Sequence, residues 1–215
     1  MYKLSPSLLA ADFYNLGGEI DKLKGANISM LHLDVMDGVF VPNISFGFPV
    51  LRALRPRYDY IFDLHLMIDR PERYVEHFIK EGADWVTISY ESTTQHDQIA
   101  RTIHGHGKRY GVALKPETPA SVLANLEVKP DLVLVMCVEP GFGGQTYLHD
   151  CQNKITQVRA MLGPQVDISV DGGIDPTTIL GAKQAGANIF VAGTSIFRTP
   201  NPAKAAAELD RLLQK

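Results

Sequence analysis

Cysteine is almost missing from this chain. Cys137 and Cys151 are the only two, with thirteen residues between them and neither in a C-x-x-C pair. That spacing excludes a zinc-finger module and a disulfide-dense scaffold, and leaves the expectation of two reduced thiols in a cytoplasmic protein. Long apolar runs are missing too: no window approaches the ~20 residues of a membrane-spanning helix. The opening MYKLSPSLLAADF has no extended apolar stretch before Asp12 interrupts it, so a signal peptide is not expected. Positive charge is not in excess, with 21 basic against 24 acidic side chains and a net charge of -3. A phosphate-backbone binder shows a basic balance, so neither nucleic acid nor membrane is expected as a partner. Low-complexity stretches and linkers are lacking as well.

What remains is ordinary globular material. The 215 residues are 45% hydrophobic and 21% charged, which suits one domain spanning 1–215 and burying about 70% of its unfolded surface. Short β-branched or apolar runs recur at Lys3–Leu8, Met30–Val35, Tyr60–Leu66, Trp85–Ser89, Arg109–Leu114, Leu132–Cys137, Asp167–Val170 and Ile189–Ala192. Helical patterns lie between them: Tyr14–Leu23, Pro49–Leu54, Pro71–Glu81, His96–His104, Pro119–Leu126, Asp150–Leu162, Pro176–Ala185 and Pro202–Leu213. Several open on proline, which suits a first helical turn, and several stop at glycine, as at Gly25, Gly82 and Gly186. Strand followed by helix, eight times over in a chain this short, predicts an α/β fold of the (β/α)₈ TIM-barrel type over a doubly wound sheet. A Gly-Ala-Asn/Asp triplet leads into three of the strands, at Gly25, Gly82 and Gly186.

In a barrel the chemistry sits at the C-terminal ends of the strands. The second strand ends His32-Leu-Asp34-Val-Met36, and period-2 alternation puts those three side chains on one face. His65 and Met67 share a face at the end of the third strand, and Asp171 ends the seventh. Two histidines and two aspartates pointing into a barrel are costly unless paired or liganded, and the set suits a divalent transition metal with room for substrate oxygens. Met36, Met67 and Met136, all at strand ends, suggest an apolar shelf beside it.

Three glycine clusters follow strands six to eight: Gly141-Phe142-Gly143-Gly144-Gln145, Asp171-Gly172-Gly173 and Gly193-Thr194-Ser195. Glycine lets backbone N–H groups approach an anion, and the loops after strands seven and eight form the usual phosphate site of this fold. Lys115, ending strand five, is the rival nucleophile and would make the protein a Schiff-base aldolase. His77, His96, His104, His106 and His149 are expected on the surface.

The segments Ser5-Pro-Ser-Leu-Leu-Ala-Ala-Asp12, His32-Leu-Asp-Val-Met-Asp-Gly38, Val41-Pro-Asn43, His65-Leu-Met67, Val135-Met-Cys-Val-Glu-Pro-Gly-Phe-Gly-Gly-Gln145 and Val170-Asp-Gly-Gly173 resemble the ribulose-phosphate 3-epimerase family, in order and over essentially the whole chain. The resemblance implies a metal-dependent (β/α)₈ enzyme of the pentose phosphate pathway, a homo-oligomer, that interconverts ribulose 5-phosphate and xylulose 5-phosphate. It implies His32, Asp34, His65 and Asp171 as ligands of one divalent ion per chain (zinc, iron, manganese or cobalt). Asp34 and Asp171 would be the two acid/base groups, and Ser7 and His65 would touch the sugar. The backbone around Gly141, Phe142, Gly143, Gly144, Gly172, Gly173, Gly193 and Thr194 would hold the rest of a ketose phosphate.

The chain departs from the family at three places. Ser89 stands where a histidine is usual, Glu117 where glycine is common, and Cys137 where threonine is common. The run Pro116-Glu-Thr-Pro119 is similar to that of a related branch acting on the hexulose allulose 6-phosphate, which makes that sugar the alternative substrate. A phosphate-sensing RNA-binding barrel is the non-enzymatic alternative, and the charge balance opposes it.

Overall fold

The computed structural model describes residues 2–214. Eight parallel strands, β1 (Lys3–Pro6), β2 (Met30–Met36), β3 (Ile61–Met67), β4 (Trp85–Ser89), β5 (Arg109–Leu114), β6 (Leu132–Met136), β7 (Asp167–Asp171) and β8 (Ile189–Ala192), form one sheet in the order β1-β8-β7-β6-β5-β4-β3-β2. A parallel bridge between Ser7 and His32 joins the two ends and closes the ring, so the expected barrel is the architecture found. Helices α1 (Leu16–Asp21), α2 (Phe48–Leu54), α3 (Val75–Lys80), α4 (His96–Gly105), α5 (Cys151–Leu162), α6 (Ile179–Ala185) and α8 (Pro202–Gln214) connect and follow the strands, and a single turn, α7 (Thr194–Phe197), follows β8.

Outward strand residues such as Leu31, Leu33, Val86, Val133 and Phe190 are buried in one continuous apolar layer with the helices. Inward residues alternate with them. Met30, Trp85, Leu132 and Ile189, one from each even-numbered strand, plug the bottom of the barrel. The next inward positions on the odd strands are Ser5, Asp63, Gly111 and Ser169, a polar layer that is buried throughout. Gly111 is required here because a Cβ would lie 2.2 Å from Oγ1 of Thr87 on the neighbouring strand.

The recurring Gly-Ala-Asn/Asp triplet acquires a physical role at the bottom rim. Asp84, just before β4, accepts the Phe62 N–H of β3 at 3.0 Å; Asn188, just before β8, accepts the Ile168 N–H of β7 at 2.7 Å. Asp131 does the same for Tyr110 at 2.9 Å without the triplet. Each carboxylate or amide stitches the start of its strand to the previous one. Asn27 does not; its side chain reaches Asp210 of α8.

Several helical expectations are shortened. Residues 119–126 form a 3₁₀ segment, Ala120–Asn125, because Ser, Val and Asn are weak helix formers in so short a run. The pattern opening at Pro176 becomes helical only at Ile179, since Asp175 first accepts the N–H groups of Thr177 and Thr178 in a side-chain turn. Gly82 and Gly186 end α3 and α6 with φ of 111° and 117°, as expected, whereas Gly25 is the last residue of a turn, residues 22–25, that separates it from α1.

Two cysteine and histidine expectations are overturned. Cys137 and Cys151 are joined as a disulfide, with Cα atoms 5.3 Å apart, because β6 ends where α5 begins. The sequence spacing hid this, and the pairing removes reduced thiols as an argument for compartment. His96 is buried, not superficial: its ring stacks on Tyr90 and donates to the Tyr90 carbonyl at 2.9 Å.

Candidate active site

The top of the barrel gathers the four metal-type residues. His32, Asp34, His65 and Asp171 each offer a ligand atom within 4.8 Å of the others. Their placement follows from register: β2 and β3 pair His32 with Asp63 and Asp34 with His65, so two adjacent inward rungs carry a histidine–aspartate pair, crossed in order. His32 Nε2 lies 3.2 Å from Asp34 Oδ1, and His65 Nδ1 lies 3.3 Å from the same oxygen. Ser7, at the end of β1, donates to Asp34 Oδ2 at 2.7 Å. Asp171 arrives from β7, three strands round the ring from β2 by way of β1 and β8.

The electrostatics separate the two aspartates. Burial raises Asp34, but the nearby rings of His32 and then His65 outweigh it electrostatically and hold the carboxyl well below the ordinary range. Burial pushes Asp171 up, the Asp34 charge adds to it, and the carboxyl reaches about 6 against the pull of His32 and His65. Burial would lower His32, yet Asp34 and Asp63 flank it and raise it well above a free imidazole.

The residues fit a metal on an independent observation. Nε2 of His32 and Nε2 of His65 are buried, and neither has a hydrogen-bond partner among the described residues. Buried imidazole nitrogens left open beside carboxylates are what a divalent ion would satisfy.

A cavity opens directly above. Its floor holds Ser7, Asp34 and Asp171 with Met36, Met67 and Met136, and its wall is Gly141, Phe142, Gly143, Gly144, Gly172, Gly173, Gly193 and Thr194. The three methionines are each less than 5% exposed, so the shelf is dry. Among the described residues, the N–H groups of Gly143, Gly144, Gly173 and Thr194 donate to no protein acceptor. Gly173 could not be replaced: its φ is 65°, and a Cβ would sit 2.8 Å from the Tyr147 backbone. At Gly193 a Cβ would meet Ala10 at 3.2 Å and project towards Ser7. Lys115 does not line this cavity. Its ammonium sits over the Phe40 ring, 4.5 Å from the centroid, in an outer cleft that adjoins the cavity across Pro140, Phe142 and Gln145.

A model of the ribulose-phosphate 3 epimerase family matches residues 3–197. The chain belongs to that family. It is 40% identical to the ribulose-phosphate 3-epimerase of Schizosaccharomyces pombe over 99% of this chain and 94% of that one, and 39% identical to that of Bacillus subtilis over 97% and 98%. The cytoplasmic isoform of Oryza sativa matches at 41% over 99% and 94%. In fold it is similar to the 3-hexulose-6-phosphate synthase of Salmonella typhimurium, with a TM-score of 0.79 at 18% identity over 99% of this chain and 98% of that one. This chain is an epimerase.

The three positions at which the sequence departs from the resemblance lie outside the four metal-type residues and outside the cavity lining. Ser89 is buried at the end of β4, Glu117 is exposed, and Cys137 is locked to Cys151 beneath the loop that carries Gly141–Gly144. Sequence reasoning missed three residues that organise the site. Ser45 bridges β2, accepting the Met36 N–H at 3.0 Å and donating to the Asp34 carbonyl. Asn43 donates to the Gly141 carbonyl at 2.7 Å and ties two active-site loops together. Asp63 lies on the same alternating face as His65, so the period-2 rule that found His65 also points to it.

Proposed function

We propose that this epimerase interconverts the C3 epimers of a ketose phosphate, ribulose 5-phosphate and xylulose 5-phosphate, with Asp34 and Asp171 as the two proton-transfer groups. One observation carries the reading: two carboxyls, Asp34 and Asp171, reach one metal-type cluster from separate strands, β2 and β7. Removing a proton α to a ketone and returning one to the other face needs a base on each side of the substrate plane. Asp34, held ionised by its histidines and steadied by Ser7, is the ready acceptor; Asp171, brought in on β7, is the second proton-transfer group. His32, Asp34, His65 and Asp171 would hold a divalent ion, which when bound supplies a Lewis acid that stabilises negative charge developing on the substrate oxygens.

The methionine shelf keeps water from the reacting carbon. The free N–H groups of Gly143, Gly144, Gly173 and Thr194 suit the phosphate, whose binding energy fixes the sugar in reacting geometry. The pathway implied by that substrate is the pentose phosphate pathway. The naming of the rice relative supports a cytoplasmic setting. Val39 and Ile44, about three-quarters exposed near the mouth, support self-association into a homo-oligomer.

The deciding experiment is coupled turnover of ribulose 5-phosphate and allulose 6-phosphate side by side, before and after chelation. Faster turnover of the pentulose, lost with the metal and restored by it, is expected. Preference for the hexulose would overturn the substrate; full activity without metal would overturn the metal site.

A further inference from the structure

Asp63 is a buried carboxylate without the duties that explain its neighbours. It is 1% exposed, its Oδ2 lies 2.8 Å from His32 Nδ1, and its Oδ1 has no partner among the described residues. Asp84, at the bottom rim beside the same strand, shows what a structural aspartate does here. It holds the Phe62 N–H at 3.0 Å, Arg55 at 2.9 Å and Lys108 at 2.8 Å. Among the described residues Asp63 holds no strand, no arginine and no lysine, and its one polar side-chain contact is a metal-type histidine, its partner across the β2–β3 ladder.

Burying a carboxylate costs several kcal/mol, and a single hydrogen bond to a neutral ring is poor compensation. The cost makes sense if His32 carries positive charge, from a proton or from a metal on its far nitrogen. The ring also faces a choice that Asp63 decides. Carboxylates flank it on both sides, Asp34 Oδ1 at 3.2 Å from Nε2 and Asp63 Oδ2 at 2.8 Å from Nδ1. With one proton, the neutral imidazole can give it to either. A proton on Nε2 would close the nitrogen that faces the cluster; a proton on Nδ1 leaves it open.

We propose that Asp63 is a positioning residue that holds the His32 proton on Nδ1, so that Nε2 is presented to the divalent ion. This role rests on the metal reading of the cluster above. It acts through His32 alone, and raises the ring's donor strength by withdrawing its N–H proton towards a carboxylate. His65 Nδ1 also faces a carboxylate, but among the described residues that carboxylate is Asp34, itself a member of the cluster, at 3.3 Å. His32 is thus the ligand whose orientation is set from outside the cluster.

The test measures zinc binding by competition with a chromophoric chelator on the full chain, with no turnover involved. Asp63→Asn keeps the shape and removes the charge; Asp84→Asn is the structural control. Zinc affinity should fall about 10- to 100-fold in Asp63→Asn and stay within about twofold of wild type in Asp84→Asn. On zinc-loaded wild type with ¹⁵N-labelled histidine, the His32 signals should show a protonated Nδ1 and a metal-bound Nε2. That measurement needs no variant to fold. An Asp63→Asn protein with wild-type zinc affinity, or a wild-type His32 that binds zinc through Nδ1, would overturn this role and leave the metal site standing. A wild-type chain that binds no zinc would overturn the metal site and this role together.

Discussion

Asp171→Asn should make the metal-free protein more stable, and only above a definite pH. Burial and the Asp34 charge raise the folded-state carboxyl from 3.8 to about 6. A value raised by folding gives stability that is complete below about 3.8 and is lost as pH climbs through about 6, because the folded state then carries an anion it disfavours. A shift of that size corresponds to about 3 kcal/mol. Asp171 borders the cavity and is only partly buried by surface, so water there screens some of it and about 1–3 kcal/mol is the working range. For a chain of this length that is a Tm difference of about 2–12 °C. Thermal unfolding of chelator-treated wild type and Asp171→Asn from pH 4 to pH 8 reads it directly. The two should coincide near pH 4, and the variant should pull ahead between pH 5 and pH 7. Zinc should narrow or reverse the gap, since wild type keeps all four ligand groups and the variant loses one anion. A difference that is flat with pH, or a wild type that is the more stable at pH 8, would refute the assignment of Asp171 as a destabilised carboxyl.

Asp34→Asn and Asp171→Asn, each metal-replete, should lose epimerisation by about 10²–10⁴-fold, while one of the two still exchanges the C3 hydrogen of a single epimer with deuterated water. Two variants that both epimerise near the wild-type rate would sink the two-base mechanism. Gly193→Asp places a carboxylate where Ser7 and Ala10 crowd the cavity and where an anion is expected, so KM for the phosphorylated sugar should rise sharply; an unchanged KM would remove this loop from the phosphate site. Thiol titration of the denatured, unreduced protein should find no free thiol, and reduction should release two. Closing a loop of this length is worth about 3 kcal/mol in the chain-entropy model, so reduction should lower Tm; two free thiols at the outset would refute the pairing.

The barrel and the upper cluster were legible because each rests on a local rule. The eight strands appear as apolar runs whatever surrounds them, and alternation within β2 alone places His32, Asp34 and Met36 on one face. The glycine clusters sort themselves by following successive strands. What stayed hidden depends on distances between elements. No spacing says that Cys137 and Cys151 meet, because that follows from where the loop between β6 and α5 folds back. His96 looks like one more polar residue on a helix until Tyr90 from the preceding turn is seen stacked against it. The helix expected from Pro176 failed for a different reason: Asp175 offered the backbone a competing turn, and a local side-chain bond won over helical periodicity.

Asp63 marks the boundary between the two kinds of knowledge. Its inward direction could be read from β3, but its purpose required knowing that β2 sets His32 directly beside it. The barrel below supports this division of labour. Its lowest layer is apolar and complete, so the fold closes there without help from the site. Above that layer lie three carboxylates, Asp34, Asp63 and Asp171, and two imidazoles, an anionic excess that the apolar plug cannot offset. Stability alone would have replaced them with methionine or leucine, as the neighbouring inward positions Leu134 and Met136 show. The arrangement is explained by a ligand that brings two positive charges to the top of the barrel. The eight parallel strands that carry these side chains are themselves paired through backbone hydrogen bonds, β1 next to β8 and so on round to β2.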